Sequence, residues 1–178
     1  RLLWSTDPEF LFASRSLFLY KFVTLEIKEK WYRILRLVGS EYVMTIRSSQ
    51  EELEHVHLIE ELVSSLQQRG YESIRAEHIG GFEEYAQAIY YEEHDHYFIP
   101  DVSAEKDGQK VLFEAETAGS LDAPSSQAEQ RTFAAFAAQN DMLYYLVVPE
   151  NIRQRAEATL AMIEEKKQRA TFVLPLPI

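Results

Sequence analysis

The chain has no cysteine among its 178 residues. That absence excludes disulfides, thiolate zinc sites and cysteine nucleophiles, and it fits a reducing compartment. No uninterrupted apolar run approaches the ~20 residues of a membrane-spanning helix, and no secretory signal pattern is visible. A cytoplasmic protein with no membrane partner is the expectation. Internal repeats and low-complexity segments are also missing. So are Gly-x-Gly-x-x-Gly, the phosphate-loop lysine motif, His-Glu-x-x-His and any serine in a nucleophile-elbow sequence, which leaves no nucleotide cofactor implied.

Cations are scarce: 18 Lys and Arg stand against 29 Asp and Glu, a formal charge of −11. Nonspecific DNA affinity comes mostly from lysine and arginine on phosphates, so this balance weighs against an extended DNA-binding face. A bound metal and one local basic strip can still offset acids near a site. The available strips are Lys21, Lys28, Lys30, Arg33 and Arg36, and Arg153, Arg155, Lys166, Lys167 and Arg169. A solvated face is the competing reading of each.

With 46% hydrophobic and 12% aromatic residues, the chain can bury one sizeable core, and one domain with an appendage is the natural expectation. Residues 17–47 alternate like strands and predict a small antiparallel β-rich appendage over 1–47, a surface for homodimerisation. Trp31 and Tyr32 lie in it, suited to core packing or to base stacking. The first residue is Arg1 rather than Met, so either a fragment or a processed chain is the expectation.

From residue 48 the elements are clearer. Ser48-Ser49-Gln50-Glu51 opens a helix closed by Gly70, with Ile59, Leu62, Val63 and Leu66 as its core stripe. Glu52 and His55 project toward that stripe, whereas Glu60 and Glu61 point away. Tyr71–His78 reads as a strand. Asp122-Ala123-Pro124 starts a helix running to about Asn140, with Phe133, Phe136 and Ala137 buried. With Phe133 as centre, Gln130 lies about 60° away and Arg131 about 160°, so Gln130 should face the core and the site. Met142–Pro149 is a buried strand, Asn151–Lys167 an amphipathic helix, and Thr171–Leu176 a last strand.

The chemistry concentrates between these elements. Residues 98–105 and 110–117 read as two strands, and Asp107-Gly108 between them is a strong hairpin signal. With that pair at the turn, opposed positions put Lys106 across from Gln109, Ala104 across from Val111, and Asp101 across from Glu114. Cross-strand Cβ atoms lie roughly 4.5–5.5 Å apart, and Glu116, two residues on, shares the face of Glu114. Crowded carboxylates repel, and a divalent ion reverses the penalty; oxygen donors of this kind suit Mg²⁺, Mn²⁺ or Ca²⁺. A solvent-facing hairpin whose acids merely solvate it is the alternative. His94 and His96 share a strand face and suggest either a second metal pair or solvated loop histidines. Thr117 and Ser120 suit phosphate contact or turn hydrogen bonds equally.

Pro100-Asp101, then Glu114-Ala115-Glu116, on a hairpin between two helices resembles the PD-(D/E)-x-K nuclease superfamily over roughly residues 50–149. The resemblance implies an α/β, restriction-endonuclease-like αβββαβ core over 48–178: helix, three-stranded meander, helix, strand. It implies a Mg²⁺- or Mn²⁺-dependent DNA endonuclease in which Asp101, Glu114 and the Ala115 carbonyl hold the ion. The first helix of such proteins often adds an inward acid, here Glu52, with Glu51 as substitute. Glu116 stands where most members have lysine, and would orient or deprotonate water. Similar proteins with Glu-x-Glu-Thr include modules with no assigned reaction, so a catalytically silent module for DNA docking or protein assembly is the other implication.

Overall fold

Ser48 begins the first helix by a reciprocal pair of bonds. In the computed structural model, which describes residues 48–76, 79–91 other than 81, 83 and 85, 96–163 and 168–178, Glu51 N–H donates to Ser48 Oγ at 3.2 Å and Ser48 N–H to the Glu51 carboxylate at 2.7 Å. Two otherwise orphaned donors are met, and α1 runs Ser49–Gln68. Gly70 follows its end in the left-handed region, φ 75°. The buried stripe is His55, Leu58, Ile59, Leu62, Val63 and Leu66, while Glu60 and Glu61 are exposed. The expected appendage over 1–47, with its dimer surface, its boundary at 47 and its aromatic and basic residues, lies outside the described residues. So do His94, Asp95, Lys166 and Lys167.

Seven strands follow among the described residues: β1 (Glu72–Ala76), β2 (Ile89–Tyr91), β3 (His96–Phe98), β4 (Val102–Lys106), β5 (Gln109–Ala115), β6 (Leu143–Pro149) and β7 (Thr171–Leu176). Five form one sheet in the order β1-β4-β5-β6-β7, and β2 and β3 make a separate ribbon. β4 runs antiparallel to both of its neighbours, β1 and β5, whereas β6 and β7 add in parallel. Parallel neighbours need a crossover, supplied by α2 (Pro124–Gln139) between β5 and β6 and by α3 (Arg153–Leu160) between β6 and β7. The described residues are thus a mixed α/β fold with a five-stranded mixed sheet and three helices.

Asp107 and Gly108 both have positive φ, 52° and 79°, the geometry of a two-residue hairpin turn whose twist suits its strands. It sets the expected register: Lys106 pairs with Gln109, Ala104 with Val111 and Val102 with Phe113. Two elements depart from the sequence-based bounds. Phe98 belongs to the ribbon, opposite Ile89, and β4 starts only at Val102, because Pro100 has no N–H to give a ladder. The helix expected over 151–167 is interrupted: a 3-10 turn at Glu150–Ile152 precedes α3, and the chain turns after Leu160, seating Leu160 and Ile163 in the core.

Alternation along β5 separates two cores. Val111, Phe113 and Ala115 join Val102, Ala104, Val147 and the α1 stripe. Leu112 joins Tyr144, Leu146, Val148, Phe133 and Phe136 under α2. Glu114 and Glu116 keep the parity of Leu112 and so fall on the α2 face.

Candidate metal centre

At the open end of the β4–β5 hairpin, side chains take over from the backbone ladder. Asp101 precedes β4, and its Oδ2 accepts the Ala115 N–H at 2.9 Å. Glu114 returns the favour, its Oε2 accepting the Asp101 N–H at 3.1 Å. The two acids that the turn arithmetic sets opposite each other are therefore fixed by two side-chain bonds, one running from the Asp101 N–H to Glu114 and one from the Ala115 N–H to Asp101. His55, from α1, lies with Nε2 3.0 Å from the same Asp101 Oδ2. All three residues are buried.

Asp101 is thereby turned toward α1, and the carboxylates that converge are a different set. One oxygen each from Glu114, Glu116 and Glu129 lie within 4.8 Å of one another. Glu116 extends the chain beyond β5, where its N–H donates to Val147 O at 2.9 Å. Its Oε2 accepts the Ser120 hydroxyl. Ser120 in turn is held by Thr117, whose N–H donates to Ser120 Oγ at 3.0 Å, so these two hydroxyls act as turn formers that also orient Glu116. A β-carbon on Gly119 in this turn would overlap the Glu51 carboxylate, which ties the turn to the cap of α1. Arg155 of α3 secures the outer side, donating to Ala118 O at 2.9 Å and to Asp122 Oδ2 at 2.7 Å.

The electrostatics follow from burying several acids together. Burial pushes the Glu114 carboxyl well above the ordinary carboxylate range; Asp101, Glu129 and Glu116 push the same way, and only the Asp101 N–H opposes them. Tyr144 sits beneath α2, opposite Leu112 and one step from Glu114 along the sheet. Burial and then the charges of Glu114, Glu116, Glu129 and Asp101 raise its phenol well above its usual value, so it remains a neutral donor. Its hydroxyl has no hydrogen-bond partner and is fully buried, a state that costs about 1–3 kcal/mol if nothing meets it. Hard oxygen donors with no sulfur or imidazole among the converging set fit Mg²⁺, Mn²⁺ or Ca²⁺.

The remaining candidates are distributed around this centre. Glu52 is half-buried on α1 and is not one of the three converging acids. Gln130 is buried as expected, but its amide donates to Leu121 O at 3.3 Å and it lines a small cavity with Thr159, Met162 and Ile163. Arg131 points outward to Gln127. The helix instead presents Glu129, which sequence reasoning passed over. A signal existed: Glu129 is four residues before Phe133, about 40° from it on the wheel and nearer than Gln130. The side chain of His96 lies outside the description. Among the described residues no helix is long and apolar enough to cross a membrane. Compared with known proteins, the chain matches no family model, no curated protein and no solved structure.

Proposed function

We propose that this domain hydrolyses phosphodiester bonds in DNA with a divalent cation, on the restriction-endonuclease-like PD-(D/E)-x-K plan. The observation that carries the reading is the locked pair Asp101–Glu114, with Glu116 two residues on, at the end of a turn-registered hairpin. The order of elements supports it, since α1, the strands β1, β4 and β5 of the main sheet, α2 and β6 run helix, three strands, helix, strand, with the β2-β3 ribbon inserted between β1 and β4.

In this reading Asp101, Glu114 and the Ala115 carbonyl would hold Mg²⁺ or Mn²⁺, which would supply stabilisation of negative charge on the phosphate. Glu116, oriented by Ser120, positions a water and takes its proton. The water oxygen bonds to phosphorus as the bond to the leaving sugar oxygen breaks, and that oxygen takes a proton from solvent. His55 fixes Asp101 from the α1 side and is a positioning residue.

A second reading is a silent module of the same plan, used for DNA docking or protein assembly. It is favoured by the commitment of Asp101 Oδ2 to two protein groups. The pairing of Arg153 with Glu157 and of Arg155 with Asp122 favours it too, because it reduces the C-terminal basic strip. Cleavage of single-stranded, duplex and branched DNA with Mg²⁺ and Mn²⁺ separates the two. The hydrolase predicts cleavage that Glu116→Gln abolishes, and Glu116→Lys, which removes two negative charges, should at least gain DNA affinity. Intact DNA with both the wild type and Glu116→Lys would sink the hydrolytic reading.

A further inference from the structure

Glu129 brings to the centre an acid from α2 that neither the hairpin arithmetic nor the nuclease resemblance supplies. Its oxygen closes a triangle with those of Glu114 and Glu116, all within 4.8 Å. Acids alone can be neutralised by protons, so the triangle by itself decides nothing. The independent observation is the Tyr144 hydroxyl, fully buried and without a hydrogen-bond partner. Tyr144 shares the α2 face of the sheet with Glu114, its ring packs 6.0 Å from Phe133, one turn beyond Glu129, and its phenol feels all three carboxylates. A buried donor that feels the charge of three acids yet is bonded to none of them is available to a species held among them.

We propose that Glu114, Glu116 and Glu129 bind a hard divalent cation at a position separate from Asp101, with the Tyr144 hydroxyl hydrogen-bonding to the ion's hydration shell. The donor chemistry selects the class, since no histidine or cysteine joins the three oxygens. Three oxygens all within 4.8 Å of one another need only small side-chain adjustments to meet one such cation at about 2.0–2.6 Å from each. Glu114 and Glu116 are shared with the hydrolytic reading, but this site does not depend on DNA being cleaved.

The test is titration of the chelator-stripped full chain with MnCl₂ and CaCl₂, by calorimetry and by the electron paramagnetic resonance of free Mn²⁺. Glu129→Gln should weaken one equivalent at least tenfold, and Asp101→Asn should leave that equivalent in place. Glu129→Asp keeps the charge but withdraws the oxygen by one methylene, so it should also weaken binding; unchanged binding would mean attraction by net charge alone and overturn the site. Tyr144→Phe should cost about tenfold, as loss of a supporting hydrogen bond does, and an unchanged affinity would overturn the part given to the hydroxyl. Wild type and Glu129→Gln titrating alike, or a wild type that takes up no cation, would overturn the whole. Absence of DNA cleavage alters none of these titrations, so the two readings fail separately.

Discussion

Replacing Glu114 by glutamine should make the cation-free protein more stable at neutral pH, and the gain should grow with pH. Glu114 is raised by burial and by Asp101, Glu129 and Glu116, so the folded state holds its proton more tightly than the unfolded chain, where a glutamate titrates near 4.3. The sign follows from proton linkage: between the unfolded value and the raised one the folded state binds the extra proton, and stability falls as pH rises. The slope approaches about 1.4 kcal/mol per pH unit for one proton and ends at the raised pKa. Glutamine cannot ionise, and its carbonyl still accepts the Asp101 N–H that Glu114 takes at 3.1 Å. Subtracting the variant's stability from that of the wild type removes the contributions of the neighbouring acids that stay in both. Urea denaturation in EDTA from pH 5 to 8 supplies the two curves, with the m-value as a check that both unfold the same way. A difference that stays flat with pH, or that favours the wild type more at higher pH, would refute the reasoning. With Mn²⁺ present the wild-type curve should turn upward, since cation binding displaces the proton; saturation at 100 times Kd adds about 2.7 kcal/mol.

Two other substitutions probe the frame around the centre. Asp101→Ala removes the acceptor of both Ala115 N–H and His55 and should destabilise at roughly 1–3 kcal/mol for each buried donor left unmet; equilibrium unfolding showing no loss would deny the hairpin lock. Gly119→Ala should push the Glu51 carboxylate off its seat and with it the capping box of α1, a loss of about 1 kcal/mol. An unchanged denaturation midpoint would mean that Glu51 relaxes without releasing Ser48.

Features written locally in the chain were the legible ones. Asp107-Gly108 determines the turn, the turn determines the register, and a side-chain period of two then places Glu114 and Glu116 on one face whatever lies above them. Ser48 and Glu51 cap α1 through bonds spanning three residues, and Pro124 opens α2 for the same local reason. Pro100 acts just as locally: with no N–H to give, it delays β4 to Val102, and Phe98 pairs in the ribbon instead.

Which side chains complete the centre depended on contacts distant in sequence. His55 and Asp101 meet across 46 positions, a pairing that no periodicity contains. Glu129 and Gln130 are both near the buried stripe of α2, and only the rotation of that helix on the sheet, set by packing Phe133 and Phe136 against Tyr144 and Leu146, turns the glutamate to the carboxylates and the glutamine to α3. Sequence by itself determined the hairpin and its pair of opposed acids, because turn chemistry and strand alternation act over a few residues. Tertiary structure alone decided that Asp101 leans on α1 while Glu129 joins Glu114 and Glu116, because helix rotation and long-range hydrogen bonds are settled only when the whole core packs.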